Sequence, residues 1–161
     1  MLDYFLIMIL IVSFVTDMRH RRILNSVTLP AMGIGLVYHL IDSGWNGLVF
    51  SGEGLLLGMG LLLIPFLLGG MGAGDVKLLA AVGAIKGVTF VFYAFIFTSI
   101  IGGLLAIAIL IYQKELIPAM KRIFFALIPG TGIQPSTTQL SMPYGVAIVF
   151  GTLLTYSWSG L

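Results

Sequence analysis

The chain has 161 residues, 59% hydrophobic and 9% charged, with a net charge of +2 and no cysteine. A soluble domain of this size carries roughly 25% charged residues, so the composition, with a mean hydropathy of +1.12, is that of a polytopic membrane protein. The missing cysteine excludes disulfides, thiolate zinc sites and a cysteine nucleophile, and the small net charge gives no basis for nucleic-acid binding.

At about 20 residues per crossing, the chain accommodates about six transmembrane helices. The expected fold is an all-α membrane protein, with residues 1–161 forming a single membrane-embedded domain. The first apolar segment runs from residue 2 to 16 and lacks the basic start of a signal peptide, carrying Asp3 instead. A polar stretch, Asp17-Met18-Arg19-His20-Arg21-Arg22, then Ile23-Leu24-Asn25-Ser26, separates it from a second segment over 27–41. Asp42 to Gly47 reads as a turn, and a third segment covers 48–68. The run Gly70-Met71-Gly72-Ala73-Gly74-Asp75-Val76-Lys77 follows and places a loop at the start of helix 4. That fourth segment, 76–85, is short: about 15 Å of helix against a hydrocarbon core of about 30 Å. Either Lys86 reaches up to the outer surface, or Asp75 starts partway into the membrane. Lys86-Gly87 breaks it from a fifth segment over 88–112. Residues 113–142 form a cytoplasmic or interfacial loop, with an amphipathic helix expected over 119–128. The sixth segment covers 143–158.

The basic residues set the orientation. Arg19, Arg21, Arg22, Lys77, Lys114, Lys121 and Arg122 fall on one side of six crossings and only Lys86 on the other. The positive-inside rule makes that side cytoplasmic. Two crossings separate Asp17 from Asp75, so both acids lie at the cytoplasmic face.

An ionisable residue at membrane depth marks a functional site. Two aspartates facing one water-accessible cavity share a proton near neutral pH. The ionised partner deprotonates a water and the protonated partner polarises a carbonyl, which is peptide hydrolysis by general acid–base catalysis. It needs no metal and no cofactor. The glycines around Asp75 admit a close-lying peptide backbone. Taken singly, each acid has a plainer reading: Asp17 as a juxtamembrane acid paired with Arg19 or Arg21, and Asp75 as a helix cap paired with Lys77. His20 and His39 have no ligand partner at useful spacing. The spacings Gly54/Gly58, Gly70/Gly74 and Gly83/Gly87 permit close helix contact. A small proton-coupled transporter using the same two acids as a relay is the alternative function.

Gly72-Ala73-Gly74-Asp75-Val76-Lys77 resembles the GxGD-plus-lysine motif of type IV prepilin peptidases. Asp17 to Asn25 looks like that family's first aspartate motif, an Asp followed by basic residues and Ile-Pro-Asn, with Leu24 in place of the proline. Pro143-Tyr144-Gly145 is similar to the Pro-aromatic-Gly element opening the family's last helix. The resemblance implies a membrane aspartic endopeptidase in the inner membrane, with Asp17 and Asp75 catalytic and Gly72, Gly74, Lys77, Asn25, Pro143 and Gly145 supporting. Its substrate would be a prepilin or pseudopilin, cleaved at the cytoplasmic face of the bilayer. Longer members carry a methyltransferase region with paired cysteines. This cysteine-free chain looks like the short, peptidase-only branch associated with tight-adherence (Flp) pili, for which N-methylation is not expected.

Overall fold

The computed structural model describes residues 2–20, 22–112 and 144–159. The interfacial helix expected over 119–128, the rest of the 113–142 loop and Pro143 lie outside the described residues. Among the described residues there are four helices: α1 (Leu2–His20), α2 (Asn25–Leu67), α3 (Ala73–Tyr112) and α4 (Tyr144–Ser159).

Two of these helices, α2 and α3, are long and apolar enough to cross a membrane. At 43 residues, α2 would run about 65 Å if straight, twice the hydrocarbon thickness. It does not run straight: Gly44 adopts φ 60°, ψ −139°, and divides it into two arms. Gly87, at φ 80°, divides α3 in the same way. Only glycine takes these angles without a steric penalty. The expected six-residue turn over Asp42 to Gly47 is therefore one residue wide, since Trp45 and Asn46 stay helical. Likewise α1 continues past Thr16 to His20, and the charge of Arg19 suits its C-terminal end. Asp17 thus lies inside a helix, not in a loop.

The first arm of α3 is the centre of the molecule. Leu78, Leu79, Ala80, Ala81, Val82, Ala84 and Ile85 are all buried, so this arm is apolar and covered on every side. That resolves the short fourth segment. A helix sheathed by protein need not match the lipid thickness by itself. The sheath is close because its contacts are small. Gly54 of α2 and Gly83 of α3 meet backbone to backbone, and a Cβ on either would strike the other's carbonyl. A Cβ on Gly58 would lie 2.6 Å from the Leu79 carbonyl oxygen, and one on Gly35 2.9 Å from that of Ala84. Gly87 instead faces the Phe50 ring, while Gly70 and Gly74 serve a turn and the site rather than a helix–helix seam.

A break at residue 87 leaves carbonyls in the preceding turn without helical donors. Two side chains of α2 supply them. The Ser51 hydroxyl donates to the Ala84 carbonyl at 2.6 Å, and His39 Nε2 donates to that of Ile85 at 3.0 Å. A carbonyl only accepts, so Nε2 carries the hydrogen. The outward faces remain apolar, with Met8, Ile11, Ile41, Leu56, Ile64 and Leu104 exposed. Such a surface fits lipid and is unsuited to water.

Gly54→Val should lower stability by about 1–3 kcal/mol or prevent accumulation, because it forces α2 off α3. Gly60→Ala, a position with nothing within 4 Å, should be neutral or stabilising by up to about 1 kcal/mol. Thermal unfolding of the two detergent-purified variants checks this; equal midpoints would contradict the packing described.

Candidate active site

Asp17 lies one turn before the end of α1, on the buried stripe Leu6, Ile9, Leu10 and Ser13. It is 5% exposed. Its Oδ2 accepts the backbone N–H of Val146 at 3.2 Å, with the Gly145 N–H beside it. Both amides belong to the first turn of α4, whose N–H groups have no partner within their own helix. The fit is tight: a Cβ on Gly145 would lie 2.7 Å from Asp17 Oδ2 and 3.0 Å from Ile23 Cδ1.

Asp75 is the third residue of α3 and is 8% exposed. Its Oδ2 accepts the Gly72 N–H at 3.1 Å, while its own N–H donates to the Gly72 carbonyl at 3.2 Å. This reciprocal pair is the acidic half of a capping box, so the plainer reading of Asp75 as a helix cap describes its local geometry correctly. The plainer partner does not. Lys77 Nζ donates to Asn25 Oδ1 at 3.0 Å, tying the start of α3 to the start of α2. Among the described residues, Asp17 takes backbone amides rather than an arginine.

Asp17 acts electrostatically on Asp75, and Asp75 on the Tyr144 phenol of α4. Ile23 lies against both Gly74 and Gly145, so the end of α1 and the starts of α3 and α4 share one region of the molecule. Between them runs the non-helical stretch 22–24. Ile23 fills the space beside Gly74, where a Cβ would lie 2.9 Å from the Ile23 Cβ and 3.1 Å from its carbonyl oxygen. The room at Gly74 is thus taken by the chain itself, contrary to the expectation that it admits substrate. Gly72 is exposed, with the Asp75 carboxylate as its neighbour, and forms the open side. Leu24, at φ −76° and ψ 128°, holds the angle a proline would fix, so the turn keeps its shape without one.

Sequence reasoning placed Asp17, Asp75, Gly72, Gly74, Lys77, Asn25 and Gly145 in one site; the structure joins Asp75 to Gly72, Lys77 to Asn25 and Asp17 to Gly145, and sets Gly74 against Ile23. Pro143 is outside the described residues. Sequence reasoning missed the Val146 amide and the wedge role of Ile23. A backbone donor leaves no side-chain signature, although a glycine at a helix start marks close approach. Among the described residues, no three His, Cys, Asp or Glu side chains form a group able to hold a metal.

The type IV leader peptidase family matches residues 4–107, a region that includes both aspartates. The chain belongs to this family. It is 32% identical over 153 residues to the prepilin leader peptidase/N-methyltransferase of Bacillus subtilis (strain 168), covering 93% of this chain and 52% of that protein. The chain spans about half the length of this curated relative. No solved structure matches it.

The capping geometry has a measurable consequence. Asp75→Asn keeps an oxygen for the Gly72 N–H and should unfold at nearly the wild-type temperature. Asp75→Ala leaves that donor unpaired at the start of a buried helix and should cost about 1 kcal/mol. Thermal unfolding that ranks alanine level with asparagine would remove Asp75 from the cap.

Proposed function

We propose that the protein is a membrane aspartic endopeptidase that removes the leader peptide of type IV, Flp-like prepilins. Asp17 and Asp75 are its catalytic pair, acting at the cytoplasmic face of the inner membrane. The observation that carries this reading is the convergence of two buried carboxylates, from separate helices, in a chain of the leader peptidase family. A relative named as a prepilin leader peptidase supports the substrate class.

The chemistry follows from the pair. Two carboxyl groups that face one site hold one proton between them. The ionised one takes a proton from water as its oxygen attacks the scissile carbonyl carbon. The protonated one gives its proton to the carbonyl oxygen, forming a neutral gem-diol. On collapse, the first acid returns its proton to the leaving nitrogen, the second recovers one from a gem-diol hydroxyl, and the C–N bond breaks. The pair ends as it began. Substrate reaches it past exposed Gly72, and Lys77, Asn25 and Gly145 hold the surrounding helix ends in place.

The orientation rests on charge and on a second polar pair. Lys86 Nζ bonds Asp3 at 2.8 Å, at the opposite end of α1 and of the first arm of α3 from the acids. The two arms each of α2 and α3, with α1 and α4, support a reading of six crossings. The arginines following Asp17 then face the cytoplasm. From Asp75 to Lys86 the arm rises only about 16 Å, so both ends sit within the apolar layer, sheathed by protein. The peptidase-only reading follows from the absent cysteines, and it assigns no N-methyl transfer to residues 1–161.

Co-expression with a candidate prepilin, read as a size shift on a gel, tests the proposal. Asp17→Asn and Asp75→Asn should each slow cleavage by roughly a hundredfold to ten-thousandfold while still accumulating in the membrane. A variant that cuts at near the wild-type rate would refute the pair. Wild-type protein that cuts no prepilin, yet moves protons across vesicles in an Asp75-dependent way, would instead support the transporter.

A further inference from the structure

Most buried polar side chains have a partner. Thr28, Thr152 and Thr155 each donate to the carbonyl four residues back, and Ser51 donates across to Ala84. Asp17 and Asp75 accept backbone amides. Among the described residues, the Ser13 and Thr98 hydroxyls are enclosed and bond to nothing. A buried hydroxyl without a partner is costly. A serine in a helix can avoid the cost by donating to the carbonyl four residues back, and Ser13 does not do so. Thr98 lies on the second arm of α3 against Gly151 of α4. Gly151 is six residues, about 9 Å, along α4 from Gly145, so Thr98 is remote from the acids. Ser13 is not. It is 1% exposed and lies one turn before Asp17 on the same buried stripe of α1. Residues four apart on a helix have Cβ atoms about 5–6 Å apart, and helical side chains lean back over the preceding turn. Asp17 therefore leans toward Ser13. On the far side of Ser13 the stripe is closed by buried Leu10, and Phe14 beside it stands edge-on to Phe150 of α4.

Resting on the peptidase reading above, we propose that Ser13 is a positioning residue of the acid pair, its hydroxyl donating to the Asp17 carboxyl after one rotation of the serine side chain or through one bridging water. Ser13 does not touch substrate. It holds the carboxyl from the α1 side as the Val146 amide holds it from the α4 side. A donor favours the ionised form of the carboxyl that accepts it. The two acids titrate as a pair, so the bond lowers the sum of the pair's two pKa values, whichever acid ionises first. The other groups near Asp17 are Asp75 of α3, which it acts on directly, and Tyr144 of α4, which Asp75 acts on. Lys77 of α3 is held by Asn25 of α2, and Arg19, His20 and Arg22 are exposed. None of these supplies the partner that Ser13 lacks.

Ser13→Ala tests this, with Thr98→Val as the control that removes the other enclosed hydroxyl. The pH profile of kcat/KM for prepilin cleavage reports the two pKa values of the pair as its limbs. In Ser13→Ala their sum should rise by roughly one unit, the effect of one hydrogen bond to a charged group, and in Thr98→Val both limbs should stay in place. Unmoved limbs in Ser13→Ala, or an equal shift in Thr98→Val, would overturn the proposal, since an idle hydroxyl changes only stability when it is removed. If Ser13→Ala does not accumulate, Ser13→Cys takes its place, keeping a side-chain tip of similar shape with a weak donor. A second measurement needs no cleavage. Infrared titration of the carboxyl band follows the lone Asp17 of Asp75→Asn, and adding Ser13→Ala should move its ionisation to higher pH by about the same amount; no movement there overturns the bond. Failure of the peptidase reading is distinct, because wild-type protein would then cleave no prepilin while the infrared titration still judges Ser13.

Discussion

The close approach of Gly54 to Gly83 is the contact on which the rest of the structure depends. Because neither residue carries a side chain, the second arm of α2 lies directly on the first arm of α3. Gly58 against Leu79 and Gly35 against Ala84 extend the same closeness along the arm. An arm packed this way has no lipid face and no solvent face, so its ends must find polar partners within the protein. At its start, Asp75 and Gly72 satisfy each other. At its end, Ser51 and His39 take up the carbonyls that the Gly87 break releases. The packing of small residues and the polar caps are thus one design: the first buries the helix and the second makes burial tolerable.

The same arm fixes α1, which packs less extensively on the bundle than α2 or α4 packs on α3. The position of α1 is set at its two ends. At one end Asp3 accepts from Lys86 and from the Tyr156 hydroxyl at 3.1 Å, and Lys86 Nζ also lies 4.7 Å from the centroid of the Tyr156 ring. At the other, Asp17 accepts the Val146 amide of α4 and acts electrostatically on Asp75. Asp3 and Asp17 on α1 thus oppose Lys86 and Asp75 on α3, and the two helices run antiparallel. A slide of α1 by one residue, about 1.5 Å, would disturb both ends together. The remote pair therefore bears on the geometry of the acids about 20 Å away, although a partly exposed ion pair of this kind contributes little stability by itself.

What the sequence showed was whatever departs from an apolar background. Asp17, Asp75, Lys77 and the glycines around them stand out against hydrophobic segments, and the breaks near Gly44 and Gly87 are marked by turn residues. What it did not show was pairing at a distance. Lys86 reads as a lysine reaching for the membrane surface, yet its partner is Asp3. His39 reads as solvated or structural, and its bond to the Ile85 carbonyl exists only because α3 breaks two residues later. Ile23 looks like any apolar residue in a turn until Gly74 and Gly145 are brought to either side of it. The glycines themselves were legible as close contacts, but not which neighbour each contacts: Gly54 meets another glycine, Gly74 an isoleucine and Gly145 a carboxylate.

The location of the acids follows from where an apolar environment leaves polar backbone free. Within a helix, N–H and carbonyl groups satisfy one another; only the ends offer unpaired ones. A buried carboxylate must therefore find its donors at helix ends, and N-terminal ends suit an anion. Asp75 meets this requirement on its own helix. Asp17 does not, because it lies in the closing turns of α1, where the unpaired groups are carbonyls and the dipole opposes a negative charge. Arg19 in the same turn offsets part of that. The rest has to come from another helix, and α4 supplies it by pointing the Val146 amide of its first turn at Asp17. The requirement also accounts for Gly145. Any side chain there would push the carboxylate away from the donors that make its charge tolerable.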